Sequence, residues 1–268
     1  MSEPIPLGEH PNVITPETMA LFLDVDGTIL EFSETPDNVD VPESLISVLE
    51  QVHARLSGAV ALVSGRALAD LDRLFTPLHL PAAGLHGFEI RGAENGRDVH
   101  EALSTAINGE RAFLHETFAE TPGILIEDKG PCIAIHFRQA PALAHTVDEI
   151  VNEAQARLGP SFETLHGHMV RELRPAGIGK GHAVNQLMAQ PPFAGRVPIF
   201  IGDDVTDEDG FEAVNALNGI SVCVGTRRPT RARTMLADVT SVRNWLSNLA
   251  EGDDPPLSPE GDRETMQA

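Results

Sequence analysis

A doubly wound α/β fold, in which a parallel sheet is interrupted by a smaller α/β insertion, is what this 268-residue chain predicts. Three observations lead there. Short runs of consecutive apolar residues at 21–23, 59–63 and 197–201, and the mostly apolar run at 220–224, have the composition of strands buried on both faces. A stretch with apolar residues at helical spacing follows each of the first three. Between residues 103 and 176 the alternation changes to helix, strand, strand, helix, strand, strand, which marks an inserted domain.

Asp24 closes the first apolar run, Leu21-Phe22-Leu23. From Pro42, the residues Leu45, Leu49, Val52 and Leu56 share one helical face, and Gly58 is placed to end that helix. The second run leads through Ser64-Gly65-Arg66 into a helix carrying Leu68, Leu71 and Leu74. The insertion opens with a helix near 104–118. Strand-like runs at 124–129 and 132–138, joined by Gly130-Pro131, are close enough to pair as a hairpin. Leu143, Val147, Ile150, Val151, Ala154 and Leu158 then form an apolar stripe ended by Gly159, and a second strand pair follows at 162–165 and 168–173. Pro175-Ala176-Gly177 leads back to the core. There Gly179-Lys180-Gly181 opens a helix, the run at 197–201 meets Gly202-Asp203-Asp204, and a helix through Phe211, Val214 and Leu217 precedes the last run. The expected organisation is a discontinuous core at 1–102 and 177–250, an insertion at 103–176 and a disordered acidic tail at 251–268.

Hydrophobic residues make up 41 % of the chain and charged ones 22 %, enough for a sizeable core. Asp and Glu number 40 against 19 Lys and Arg, a net charge of −21 that repels nucleic-acid phosphates and argues against a DNA or RNA partner. No stretch reaches the ~18–20 apolar residues that span a bilayer. The N-terminal MSEPIPLGEH lacks both a basic and an apolar segment of the signal-peptide kind. The expectation is a cytoplasmic monomer with no membrane partner, acting on a small molecule. Cys132 and Cys223, far apart and next to apolar residues, read as reduced core thiols. His166 and His168 have no third ligand at a spacing that would make a transition-metal site.

Ligands of open parallel sheets bind beyond the carboxyl ends of the strands, and the residues there are strongly polar. Asp24-Val25-Asp26-Gly27-Thr28 follows the first run, Ser64-Gly65-Arg66 the second, and Asp203 to Glu208 the run at 197–201. Several carboxylates at one sheet end repel one another, and a hard divalent cation, Mg²⁺, compensates that repulsion. Carboxylates, a metal, a lysine and a hydroxyl at one spot suit phosphoryl transfer. Asp24 is the expected nucleophile, and Asp26 the group that protonates the leaving oxygen and then activates water. Ser64 or the adjacent amides would bind a phosphate oxygen, with Lys180 neutralising its charge and Arg66 beside them on the substrate. The metal set is drawn from Asp24, Asp26, Asp203, Asp204 and Asp207, the last two orienting metal-bound water. Each segment alone has a plainer reading: Asp-Gly-Thr is a common turn, and Thr206 caps a helix. Their joint occurrence in this order, in an α/β frame, makes the catalytic reading the stronger one.

Asp24-Val25-Asp26-Gly27-Thr28, Ser64-Gly65-Arg66, Gly179-Lys180-Gly181 and the acidic string from Asp203, in that order, resemble the haloacid-dehalogenase-like (HAD) hydrolase superfamily. The resemblance implies Mg²⁺ dependence, nucleophilic attack by the first aspartate of the Asp24-Val25-Asp26 motif, and acid/base work by the second. It also implies a Rossmann-like core, with the insertion as a C2-type α/β cap. Further segments narrow it: 84–91 (GLHGFEIR), Glu127-Asp128-Lys129-Gly130, Ile135-His136-Phe137-Arg138, Glu172-Leu173-Arg174-Pro175 and the acidic string from Asp203. Together, over residues 21 to 249, they are similar to the trehalose-6-phosphate phosphatase family. That similarity implies hydrolysis of trehalose 6-phosphate to trehalose and phosphate through an aspartyl-phosphate, the last step of trehalose biosynthesis. It also implies that His86 and Glu89 reach the sugar from the core side.

Sugar specificity is expected from the cap. Strand alternation puts Ile133, Ile135 and Phe137 on one face and Cys132, Ala134, His136 and Arg138 on the other, which can meet a polyol. His168, Val170 and Glu172 share a face of the final cap strand. Lys129 and Glu172 are the leading hydroxyl-binding candidates, one as donor and one as acceptor. The competing substrate within the same chemistry is another sugar phosphate, sucrose 6-phosphate or a hexose phosphate. A signalling domain that only stores phosphate on aspartate would need neither Asp26 nor a sugar-sized cap.

Overall fold

Every residue of the first strand is buried, because this strand has a parallel neighbour on each side. The computed structural model of the chain describes residues 14–31, 41–92, 97–99, 101–167, 169–227 and 229–252. His168, the N-terminal segment MSEPIPLGEH, residues 93–96 and 100 near the expected start of the insertion, and the acidic tail beyond residue 252 lie outside the described residues.

From β1 (Met19–Leu23) the chain passes to α1 (Glu43–Arg55), β2 (Val60–Val63), α2 (Leu68–Leu74), β3 (Ala82–Gly84), β4 (Glu89–Arg91) and β5 (Arg97–Val99). Next come α3 (Glu101–Ala106), α4 (Asn108–Phe118), β6 (Leu125–Asp128), β7 (Ile133–His136), α5 (Ala144–Leu158), β8 (Phe162–Gly167) and β9 (Val170–Pro175). The remainder is α6 (Lys180–Met188), β10 (Val197–Gly202), α7 (Glu208–Ala216), β11 (Ile220–Val224), β12 (Thr234–Leu236) and α8 (Val239–Glu251). Val99–Ile178 forms one compact unit, and the chain on either side of it forms the other.

The larger unit holds a sheet of order β12-β11-β10-β1-β2-β3-β4-β5. Its strands from β12 to β3 are parallel, and β4 runs antiparallel to β3. The chain leaves β1 toward β2 and β3 on one side and leaves β10 toward β11 and β12 on the other. The order therefore reverses between β1 and β10, which is where such sheets bind ligands. Right-handed crossovers running outward in opposite directions put α1 and α7 on opposite faces. Helix α1 packs with α8, and α7 with α6. Leu45, Leu49 and Val52 of α1 bury the stripe read from the sequence, and Gly58 follows the helix at φ 89°.

The strands β3, β4, β5 and β12 have no signature in the apolar pattern. Each is three residues long, and its strand character comes from pairing with a neighbour, as Ala82–Gly84 does between β2 and β4. The smaller unit is an antiparallel sheet of order β6-β7-β9-β8. Ile133, Ile135, Phe137 and Leu173 on one of its faces pack with Leu114 and Phe118 of α4 and Val147, Val151 and Ala154 of α5. The single helix expected near 104–118 is instead two, α3 and α4, separated at the buried Ile107. Asn108 and Gly109, both weak helix formers, stand at that break.

Helices α6 and α7 approach closely at Gly181, where an added Cβ would lie 2.4 Å from the Asp209 carbonyl oxygen. Gly181→Ala is expected to lower stability by about 1–3 kcal/mol, because backbone must shift to admit the methyl group. Gly109→Ala, with open space around it, should instead raise it by about 0.5–1 kcal/mol. Urea denaturation of both variants checks this, and equal midpoints would refute the close approach.

Candidate active site

Asp24 stands at the tip of β1, where its backbone N–H donates to the Ile201 carbonyl at 2.9 Å and its residue is 4 % exposed. This tie extends the β1–β10 register by one residue and so puts Asp24 beside the start of the loop after β10. Lys180, the first residue of α6, brings its ammonium between two carboxylates. Its Nζ is 2.6 Å from Asp24 Oδ1 and 2.6 Å from Asp207 Oδ1. All three residues are buried.

Glycine makes this approach possible. An added Cβ at Gly179 would lie 1.9 Å from Asp209 Oδ2, the same oxygen that accepts the Gly181 N–H at 3.1 Å. Asp209, on α7, thus caps the start of α6 and fixes where Lys180 emerges. A left-handed turn at Leu85 (φ 48°), His86 (φ 56°) and Gly87 (φ 100°) packs on the same point, and a Cβ at Gly87 would be 2.4 Å from the Gly179 oxygen. Two non-glycine residues in this conformation hold backbone strain beside the site.

The second Asp207 oxygen accepts the backbone N–H groups of Asp203 and Asp204, both at 2.9 Å. Thr28, fully buried, places its Oγ1 3.2 Å from Asp24 Oδ2 and 3.1 Å from Asp203 Oδ1. Asp24, Asp203 and Asp207 each present an oxygen, all within 4.8 Å of one another. Burial pushes the Asp203 carboxyl up to about 6, with the Asp207 charge adding to it. Burial likewise raises Asp24 well above the usual carboxylate range, against the pull of Lys180. Burial opposes the charge on Lys180, but Asp207 and Asp24 outweigh it and hold the ammonium protonated. One cation faces three carboxylates here. The surplus negative charge and the all-oxygen donor set fit a small hard dication such as Mg²⁺.

Asp26 and Asp204 stand apart from this triad. Arg66 grips Asp26 in a two-pronged pair, Nε to Oδ2 at 2.7 Å and Nη2 to Oδ1 at 2.7 Å, so both Asp26 oxygens are engaged. Asp204 is exposed and forms a reciprocal cap with Asp207 at the turn before α7. Ser64 is buried, and its Oγ accepts the Arg66 N–H at 3.2 Å, leaving the hydroxyl hydrogen to donate elsewhere. The His86 N–H donates to the Ser64 carbonyl, and its ring lies so near Gly65 that a Cβ there would be 2.7 Å away. Glu89, buried, accepts the Leu68 N–H at 2.8 Å and so caps α2. The structure thus brings Asp24, Lys180, Asp203 and Asp207 together, and separately joins Ser64, Arg66, Asp26 and His86.

In the smaller unit, Glu127 Oε2 lies 3.0 Å from His136 Nε2 and 3.4 Å from Lys129 Nζ. The Glu127 carboxyl is held low, first by its hydrogen bond with His136. Ala134 pairs with both Glu127 and Glu172 across the sheet, which puts these carboxylates on one face. Glu172 is 7 % exposed, and its Oε1 has no hydrogen-bond partner. Burial, with the Glu172 charge adding, pushes the neighbouring Cys132 thiol up to about 12, so it stays protonated. Arg138 is exposed. Both cysteines are free and buried.

Thr28, Asp209 and Arg227 were not singled out by residue pattern. Thr28 lies inside the Asp24 motif, and a hydroxyl four residues after a strand-tip aspartate is a usable signal. Asp209 and Arg227 act through backbone groups distant in sequence, for which no local pattern exists. Among the described residues, no helix is long and apolar enough to cross a membrane.

The sequence profile of the trehalose-phosphatase family matches residues 22–240. A probable trehalose-phosphate phosphatase of Sinorhizobium fredii is 46 % identical over 236 residues, covering 87 % of this chain and 88 % of that protein. A trehalose-6-phosphate phosphatase of Escherichia coli is 40 % identical, covering 91 % and 90 %. Among solved structures, the C-terminal domain of Candida albicans trehalose-6-phosphate phosphatase shares the fold with a TM-score of 0.74 at 21 % identity, over 88 % of this chain and 92 % of that one. A HAD-superfamily phosphatase from Bacteroides thetaiotaomicron also shares it, with a TM-score of 0.57 at 17 % identity, over 87 % and 95 %. With the HAD-like core, the acidic triad around Lys180 and a profile match over most of its length, this chain belongs to the trehalose-phosphatase family.

Proposed function

We propose that the protein hydrolyses trehalose 6-phosphate to trehalose and phosphate, with Asp24 as nucleophile. The observation that carries this reading is the buried Asp24–Lys180–Asp207 arrangement beside Asp203, in a chain of the trehalose-phosphatase family. Asp24, Asp203 and Asp207 would hold Mg²⁺, which when bound neutralises charge on phosphate oxygens. Lys180 keeps its proton and donates to the same oxygens. Ser64 offers its hydroxyl hydrogen to another. Asp24 attacks phosphorus, the P–O bond to the sugar breaks, and the leaving oxygen takes a proton from Asp26. Asp26 then removes a proton from the water that attacks the aspartyl-phosphate, which restores Asp24 and releases phosphate. Arg66 must loosen its hold on at least one Asp26 oxygen for these transfers, and the arriving phosphate is a competing partner for its guanidinium.

We assign recognition of the sugar to the smaller unit acting as a cap. The buried, unpartnered Glu172 oxygen supports this, since a sugar hydroxyl would satisfy it. Lys129 and His136, both near Glu127, add donors.

Phosphate release from trehalose 6-phosphate, glucose 6-phosphate and sucrose 6-phosphate, with Mg²⁺ and with chelator, tests the reading. Trehalose 6-phosphate should be turned over fastest, with activity lost on chelation; equal rates on all three would replace it with a general sugar phosphatase. Asp24→Asn should lower kcat by roughly a thousandfold or more while leaving the melting temperature close to wild type. Glu172→Ala should reduce kcat/KM for trehalose 6-phosphate by about tenfold or more, with little change on a small aryl phosphate. Parallel losses on the two substrates would remove Glu172 from sugar binding.

The Asp203 carboxyl is raised from 3.8 to about 6 in the folded chain. In metal-free protein it therefore favours folding fully below its unfolded value, and that contribution disappears as pH rises through about 6. Metal binding needs the ionised carboxylate. The rise in melting temperature on adding Mg²⁺ should thus be larger at about pH 7 than at about pH 5, and Asp203→Asn should flatten the difference. An equal Mg²⁺ effect at both pH values in the wild type would contradict it.

A further inference from the structure

We propose that Arg227 is a positioning residue that holds the Asp203–Asp204 segment in the geometry needed to take a divalent cation. The proposal rests on the reading above that Asp24, Asp203 and Asp207 form a metal site. Arg227 follows β11, the strand next to β10, so its side chain reaches across to the loop that β10 delivers. Its Nε donates to the Asp203 carbonyl at 3.0 Å, and its Nη2 donates to the Asp204 carbonyl at 3.2 Å. Nη1 donates to the Pro229 carbonyl at 3.2 Å, and Nη2 also pairs with Glu208 Oε1. The other Glu208 oxygen accepts the Arg231 N–H at 2.7 Å, so the guanidinium is anchored to a carboxylate that is itself fixed.

The opposite edge of the same two residues is tied to Asp207, whose Oδ2 accepts both their N–H groups. Asp203 and Asp204 therefore have both amides on an anion inside the site and both carbonyls on a cation outside it. The Asp207 carboxylate passes the constraint on to Lys180 through its other oxygen, and Lys180 to Asp24. Carboxylates gathered without a metal push the segment outward, and Arg227 is the cationic group that restrains it from the far side. The restraint depends on shape as well as charge. A planar fork can meet three carbonyls and a carboxylate at once, whereas an ammonium cannot span them.

Titration of the full-length protein with Mn²⁺ alone, read by the electron paramagnetic resonance signal of free ion, tests this without turnover. Arg227→Ala should weaken Mn²⁺ binding by about tenfold, and Arg227→Lys, which keeps the charge but loses the fork, by an intermediate factor. The Mg²⁺ concentration that half-activates phosphate release should rise by the same factor, with kcat at saturating Mg²⁺ within about twofold of wild type. A residue that only stabilised the fold would lower the metal-free melting temperature and leave the Mn²⁺ constant unchanged, and that result overturns the proposal. Should the alanine variant not fold, the lysine variant decides by the same two readouts. Wild-type protein that bound no Mn²⁺ would overturn the metal reading of the triad itself, and the role of Arg227 with it. Tight wild-type binding matched by both variants would overturn the role of Arg227 alone.

Discussion

The Lys180 ammonium, 2.6 Å from the carboxylates of both Asp24 and Asp207, is the contact on which the arrangement of the larger unit's acidic cluster depends. Each of these groups is almost wholly removed from water, where an isolated charge is strongly disfavoured. They coexist because the charges compensate and because every participant is clamped by backbone. Asp24 is tied to β10, Lys180 begins a helix capped by Asp209, and Asp207 collects the amides of the loop it belongs to. The compensation is incomplete, since Asp203 adds a third carboxylate, raised by burial to about 6. A buried ion pair is weak ground for stability but a strong device for orientation. Here it aims one carboxylate oxygen while leaving a net negative pocket.

Topology explains why these residues meet. The order of the large sheet reverses between β1 and β10, so the loops after these two strands are not covered by a common crossover helix. Asp24 and Asp203 issue from adjacent strand ends, separated by most of the chain in sequence but by one strand spacing in the sheet. The helix that carries Lys180 enters directly after the smaller unit, and the glycines at 179 and 181 let it come within reach of α7. In a close-packed interior, a single methyl group at either point would displace the ammonium.

The smaller unit follows a different logic. Its sheet has an apolar face packed on α4 and α5, and on the other face Glu127, His136 and Glu172 are brought into neighbouring registers. A buried carboxylate oxygen with no partner is costly to maintain, and such costs persist where a ligand supplies the missing donor. The two sheets thus differ in what they gather: acids around a lysine at the strand ends of the parallel one, and two glutamates with a histidine on the open face of the antiparallel one.

The runs at 21–23, 59–63, 197–201 and 220–224, apolar apart from Ser221, determined the principal strands by themselves, because a strand buried on both faces is predominantly hydrophobic. The polar residues directly after the first three were equally legible as a set gathered at one end of the sheet. The short strands β3, β4, β5 and β12 were not legible, since three residues carry no period and become strands only when a neighbour supplies hydrogen-bond partners. Nor could sequence separate the carboxylates into Asp24, Asp203 and Asp207 around Lys180 and an Asp26 held by Arg66. All six are acids or their partners in similar motifs, and which oxygen meets which cation is set by strand register and by the glycine contacts of α6. Arg227 shows the same limit most plainly. Its guanidinium reaches two backbone carbonyls on another strand's loop, and backbone groups are identical at every position until the fold brings particular ones together.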